Sequence, residues 1–131
     1  TWQILEGKNR IPVTMIEAEE KVDSGVIYAQ EWIDFQGYEL VEELRAGQAD
    51  ATIRLCEEFV REYPQIVDTA KGQIGEESFY PRRRREHSRL DPDKSLKEQF
   101  NLLRVVDNKL YPAFFNLYGH KYVLQLEKTN N

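Results

Sequence analysis

Apolar and polar residues alternate with a period near two from Gly25 to Phe35, and the period lengthens to that of a helix from Glu39 to Tyr63. "VTMIEA" is short and rich in β-branched residues, and Pro12 bounds it, so a strand is predicted over 13–18. "EEKVDSG" is a polar turn. A second strand over 26–34 is predicted through Ile27, Ala29, Trp32 and Ile33, with one slip in period that reads as a bulge. Two strands joined by a short polar turn are expected to be neighbours in one sheet. Leu40, Leu44, Ala51, Leu55, Phe59 and Val60 predict a helix over 39–62 that covers the sheet and is stopped by Pro64. Gly47 serves either close packing or a kink in it, and Cys56 reads as a packing residue on its apolar side.

Beyond the loop "TAKGQIGEES", the stretch "YPRRRREHSRLDPDKS" reads as an irregular linker between subdomains. Ser95 and Glu98 form a capping box for a helix with a Leu96, Phe100, Leu103, Val106 stripe. "YPAFFNLYG" and "HKYVLQLEK" predict a hairpin over 112–127, joined at Gly119 and His120. Its aromatics Tyr111, Phe114, Phe115, Tyr118 and Tyr122 serve either a dimer contact or the cover of the preceding helix. The terminal "KTNN" is expected to fray. At the other end, "TWQILEGKNRIP" opens inside what reads as the end of a helix, with Gly7 as its stop. The chain is therefore expected to be part of something longer.

Composition narrows the function classes. At 131 residues, 40% hydrophobic and 31% charged, the chain suits one globular domain with a real core. A net charge of −5 argues against general affinity for nucleic acid. The single cysteine, Cys56, makes neither an intrachain disulfide nor a multi-cysteine zinc site, which fits a reducing, cytoplasmic setting. No apolar run approaches the ~20 residues that cross a bilayer, no signal peptide is visible, and no metal-ligand cluster stands out.

The candidate chemistry lies in "EKVDSGVIYAQ". On composition alone Asp23 and Gly25 are ordinary turn residues, Asp for an Asx-type bond and Gly for positive φ. The sharper reading puts Asp23 at a cleft at the end of a sheet, with Gly25 admitting a ligand close to the backbone. Thr14, Asp23, Gly25 and Ile27 match the pattern T-x8-D-x-G-x-I, preceded by Trp2, Ile4, Leu5 and Gly7 and followed by Ala29 and Gln30. In this the chain resembles the second half of the catalytic domain of the folate-dependent formyltransferases. The later Tyr-Pro-Arg-Arg, Ser-Arg-Leu-Asp and Tyr-Pro-Ala-Phe-Phe runs resemble the nucleotide-sugar N-formyltransferase branch.

The resemblance implies an α/β fold: the C-terminal half of a Rossmann-like catalytic domain over 1–80, then a small α+β subdomain of linker, helix and β-hairpin over 81–131. It implies transfer of a formyl group from N10-formyltetrahydrofolate to the amino group of a nucleotide-linked amino sugar, without metal, in surface-polysaccharide synthesis; the aromatic density of the C-terminal hairpin adds the expectation of a homodimer. In the family an Asn and a His from an Asn-x-His motif stabilise the oxyanion and take the amine proton, and an Asp orients the His. Asp23 matches that Asp. The Asn-x-His motif lies upstream of Thr1, so this chain alone is expected to be nearly inactive. Glu19 to Val22 matches the segment whose backbone meets the pterin, which makes Glu19, Val22 and Asp23 the folate-binding candidates. Tyr80, Arg82 and Arg83 are the substrate-binding candidates; for the run Arg82 to Arg85 the plain alternative is a solvated loop, and Arg84 and Arg85 depart from the sugar branch. Trp2 lies near the cleft by resemblance, or in the core by residue type. Methionyl-tRNA formyltransferase is the second enzyme reading, although that branch carries a longer C-terminal barrel and more positive charge. A non-catalytic dimerisation or interaction fragment is the third.

Overall fold

The computed structural model describes residues 1–76 and 78–129; of the end expected to fray, Asn130 and Asn131 lie outside them, whereas Lys128 pairs with Glu43 and lies over the Tyr38 ring. The chain folds as two compact units, each assembled from separate stretches of sequence. One comprises Thr1–Asn9, Phe35–Leu44 and Tyr80–Asn131; the other comprises Arg10–Asp34 and Arg45–Phe79. The chain passes between units at 9/10, 34/35, 44/45 and 79/80, so a division at 80/81 lies one residue from the last of these.

The second unit is built on an antiparallel pair, β1 (Arg10–Ile16) and β2 (Ile27–Asp34). β1 begins earlier than predicted and includes Pro12, opposite Trp32. A two-stranded sheet has only edge strands, so a residue without an N–H is tolerated in it. Met15 pairs with Ala29 but Ile16 pairs with Ile27, so Tyr28 is the extra residue of a bulge. The Tyr28 ring meets Phe59, centroids 5.3 Å apart. Phe59 belongs to α2 (Val41–Glu62), whose residues from Arg45 onward lie in this unit. Arg54 on α2 pairs with Glu31 on β2 at 2.5 Å, and Ala51 and Leu55 are buried. The predicted helix thus covers the sheet, running unbroken through Gly47. Cys56 does not pack as predicted. It is exposed, because the buried face turns through Ala51 and Leu55 and the thiol points away from it. After Pro64 comes the short α3 (Gln65–Asp68), and Lys71 then makes an isolated antiparallel bridge to Ile27 at the start of β2.

The first unit opens with α1 (Trp2–Leu5). Gly7 stops it at φ +81°, with Gly7 N–H bonded to the Ile4 carbonyl and Lys8 N–H to the Gln3 carbonyl. That double closure is a Schellman motif, which needs a left-handed residue where glycine stands. The core of the unit is Leu90, Leu103, Val106 and Ala113, with Phe100 and Phe115 packed against it. The supposed linker is part of this structure and does not tether subdomains. It forms a 3-10 turn over Arg85–Ser88, buries Ser88 and Leu90, and bridges Arg89 to Phe114. The capping box forms: Ser95 N–H donates to Glu98 at 2.8 Å and Glu98 N–H to the Ser95 hydroxyl at 3.2 Å. Regular helix begins later, however, as α4 (Phe100–Arg104), and Leu96 is exposed.

β3 (Ala113–Leu117) and β4 (His120–Leu124) form the expected hairpin. Tyr118 and Gly119 make its turn, both with positive φ, so the joint sits one residue earlier than predicted. Phe115 faces the core and stacks on Tyr122, whereas Tyr118 is almost wholly exposed. The fold is thus mixed α and β. Both sheets are antiparallel pairs, and no ladder of parallel strands occurs among the described residues.

One charged side chain sits at the centre of the first unit. Arg104 is fully buried and donates to the Glu39 carboxylate at 2.8 Å, to the Glu39 carbonyl at 3.0 Å and to Asn9 at 2.8 Å. Burial alone would raise the Glu39 pKa. The backbone N–H groups of Gln36, Glu39 and Gly37 and the Arg104 charge outweigh it and hold the carboxyl below the ordinary value. A carboxylate with a depressed folded-state pKa contributes stability that is fully present above its unfolded pKa of about 4.3. That contribution is lost as pH falls through the lower folded value. Amide exchange at Asn9, Gly37 and Leu40 is therefore expected to accelerate below about pH 4, and Glu39→Gln should flatten that acid limb.

Candidate functional site

The Asp23 loop is held from below by backbone contacts. Glu17 N–H donates to the Val26 carbonyl at 2.9 Å and closes its base. Gly25 is buried against the backbone just beyond β1: a Cβ placed there would lie 2.0 Å from the Glu17 carbonyl oxygen, so no side chain fits without moving backbone. The Gly of the D-S-G motif is thus explained by close chain approach within the loop. Gln73 adds a second clamp. Its amide nitrogen donates to the Asp23 carbonyl at 2.7 Å and to the Gly25 carbonyl at 2.8 Å, bracketing Ser24. The Ser24 hydroxyl turns inward to the Lys21 carbonyl at 2.7 Å.

Asp23 itself adopts φ +58°. Asp and Asn are among the few residues with side chains that take this conformation readily. Its carboxylate makes no Asx-type bond and is exposed; the turn is held through its carbonyl. The loop therefore fixes the Asp23 backbone, and among the described residues no group donates to its carboxylate oxygens. Glu19 and Val22 are exposed beside it, and their backbone N–H and C=O groups engage no other group among the described residues. Together these groups form an open backbone edge that offers both donors and acceptors to solvent.

Thr14 and Gln30 sit opposite one another across β1 and β2, and Gln30 donates to the Thr14 hydroxyl at 2.8 Å. This pair fixes the strand register two residue pairs from the bulge at Tyr28. The recurring Thr of the motif is thereby given a structural task. Gln73 is the residue the sequence reading missed: in "TAKGQIGEES" nothing marks it, because its partners are carbonyls some fifty positions away. Replacing Gln73 with Ala is expected to free the Asp23 and Gly25 carbonyls. Amide exchange across residues 22–26 should then rise at least tenfold, while the β1–β2 ladder stays protected.

The remaining candidates lie in the first unit. Tyr80 donates to Glu6 at 2.9 Å, which raises the phenol pKa, and its ring lies parallel to Trp2 at 6.3 Å. The Trp2 indole donates to the Pro81 carbonyl at 2.9 Å and meets His87 edge-on at 5.4 Å. Trp2 thus anchors the 80–87 stretch. Arg83 is half-buried and donates to the Val105 carbonyl at 3.3 Å and the Ser88 hydroxyl at 3.3 Å; burial lowers its pKa. Its guanidinium is committed to holding this unit together. Arg82 and Arg84 remain exposed around a shallow depression with Pro81, Glu86 and His87. Asp23, Glu19 and Val22 share one loop of one unit, and Tyr80, Arg82 and Arg83 share one segment of the other. Among the described residues no cluster of His, Cys, Asp or Glu is arranged to hold a metal ion, and no helix is long and apolar enough to cross a membrane.

The fold is that of solved formyltransferase structures. A methionyl-tRNA formyltransferase from Clostridium thermocellum matches 98% of the chain with a TM-score of 0.71 at 21% identity, over 55% of its own length. A sugar N-formyltransferase from a Shewanella species matches 99% of the chain with a TM-score of 0.67 at 16% identity, again over 55% of its length. HypX from Aquifex aeolicus, solved in complex with tetrahydrofolic acid, matches 95% with a TM-score of 0.68 at 20% identity, over 22% of its length. The chain thus spans little more than half of the two formyltransferases. No family model matches the sequence.

Proposed function

We propose that this chain is the C-terminal portion of an N-formyltransferase that moves a formyl group from N10-formyltetrahydrofolate to the amino group of a nucleotide-linked amino sugar. The observation that carries the reading is the Asp23 loop. A carboxylate is displayed free on a left-handed residue whose backbone is clamped by Gln73 and whose neighbour Gly25 admits no side chain. The resemblance in sequence, the shared fold and a solved neighbour holding tetrahydrofolic acid all support it.

In this reading Asp23 accepts a hydrogen bond from a protonated base and stabilises its positive charge while the amine attacks the formyl carbon. The exposed backbone edge at Glu19 and Val22 receives the pterin. Tyr80 and Arg82 meet the nucleotide portion, with Arg83 holding their segment in place. The exposed aromatic edge of the β3–β4 hairpin supports homodimer formation.

Methionyl-tRNA formyl transfer is the second reading, favoured by the Clostridium neighbour and disfavoured by the net charge of −5. The full-length protein should formylate UDP- or dTDP-linked amino sugars in the presence of N10-formyltetrahydrofolate and leave methionyl-tRNA unmodified. Formylation of the tRNA alone would replace the first reading with the second. Absence of transfer to either acceptor would favour a non-catalytic fragment.

A further inference from the structure

A second depression in the first unit, of about 250 Å³, is lined by Arg85, Lys109, Leu110, Tyr111, Pro112, Phe114, Lys121 and Val123. Its lining contains Arg85, Lys109 and Lys121 and no carboxylate. None of these cations pairs with an acid among the described residues. Lys121 Nζ lies 3.9 Å above the Phe114 ring, so its charge is held by an aromatic face and stays uncompensated. The nearby Asp107 carboxylate accepts from the Lys109 and Leu110 N–H groups at 2.9 and 3.0 Å. In a chain of net charge −5, this is a local surplus of positive charge in a concave site.

The walls are fixed from behind. Tyr111 N–H donates to the Asp107 carbonyl at 2.9 Å, and the Tyr111 carbonyl accepts from the buried Ser88 hydroxyl at 3.2 Å. Leu90 N–H donates to the Phe114 carbonyl at 2.7 Å, and Arg85 opens the 3-10 turn that ends at Ser88. The backbone carrying these side chains is therefore already ordered, and a ligand need immobilise only the side chains themselves.

We propose that this depression binds a small molecule of the nucleoside phosphate class. A planar guanidinium with two ammonium groups suits a multiply charged phosphate better than a single carboxylate. The half-exposed Tyr111 ring and the apolar surfaces of Leu110, Pro112 and Val123 suit a flat base or ribose edge. The concavity is below the size of sites that enclose drug-sized ligands, so the phosphate and the adjoining part of the nucleoside enter and the rest stays in solvent. This site is independent of the proposed formyl transfer.

The test is a 1H–15N NMR titration of the full 131-residue chain at low salt with ADP, AMP, inorganic phosphate and adenosine. ADP should give saturable shifts at Lys109, Leu110, Tyr111, Phe114 and Lys121, with at least tenfold tighter binding than inorganic phosphate and no saturation by adenosine. The double substitution Lys109→Gln with Lys121→Gln should weaken ADP at least tenfold while the far-UV circular dichroism is unchanged, and Arg85→Gln should weaken it alone. Unchanged affinity in these variants, equal binding of adenosine and ADP, or no saturable shift at these positions would overturn the proposal. So would single-stranded RNA that binds as tightly as ADP with shifts spread beyond the pocket.

Discussion

Asp23→Asn in the full-length enzyme proposed above is expected to lower formyl transfer by about 10⁴-fold while leaving thermal stability within about 0.5 kcal/mol of the parent. Asn adopts positive φ as readily as Asp. The contact holding the loop at this residue is Gln73 to the residue 23 carbonyl, which the substitution does not touch. What disappears is the negative charge that stabilises a protonated base. Folate affinity should hold, since the edge offered by Glu19 and Val22 is backbone. Steady-state kinetics with a tetrahydrofolate binding isotherm separate the two effects. If Asp23→Asn unfolds the protein while the folded remainder turns over normally, Asp23 is a turn residue only.

The second large effect is on stability. Arg104→Ala should cost about 3–5 kcal/mol, as expected when one member of a buried ion pair is removed. Glu39 would keep its backbone donors but lose its cation, and the Asn9 side chain and Glu39 carbonyl would lose theirs. A stability of 5–15 kcal/mol is typical of whole domains, so little margin would remain. Arg104→Met with Glu39→Gln preserves volume and removes both charges, and should recover most of the loss. Urea unfolding followed at amides of the first unit measures both. A loss below about 1 kcal/mol for Arg104→Ala would show that water replaces the guanidinium at little cost.

Arg104 also shows where sequence reading stopped. In "NLLRVV" an arginine in the last turn of a helix looks like a solvated charge favourable to the helix end. Its burial follows from Asn9 and Glu39, partners 95 and 65 positions away. Periodicity revealed what depends on local pattern: the β1–β2 pair, α2 over that sheet, the Gly7 stop, the Ser95–Glu98 box and the C-terminal hairpin. It misplaced Cys56, because α2 buries only a narrow stripe that a few scattered apolar residues do not define. The stretch 80–95 reads as a linker because prolines and arginines dominate its composition, while the decisive residues are the small Ser88 and the single Leu90. At the site, Asp23 and Gly25 were legible through a motif. The Gln73 clamp was not, since a side-chain amide bonded to remote carbonyls leaves no periodic trace.

The unit containing Arg104 draws on three separated stretches, of which the last begins at Tyr80. During synthesis, residues 1–9 and 35–44 emerge long before α4 exists to receive them. The other unit has all its residues once Phe79 is made. The order of folding on the ribosome is therefore set by sequence separation: the unit bearing Asp23 can close first. The unit centred on Arg104 must hold Ile4, Asn9 and Glu39 without their native partners until the C-terminal segment arrives, a burden of high contact order that slows folding and exposes the chain to misassembly.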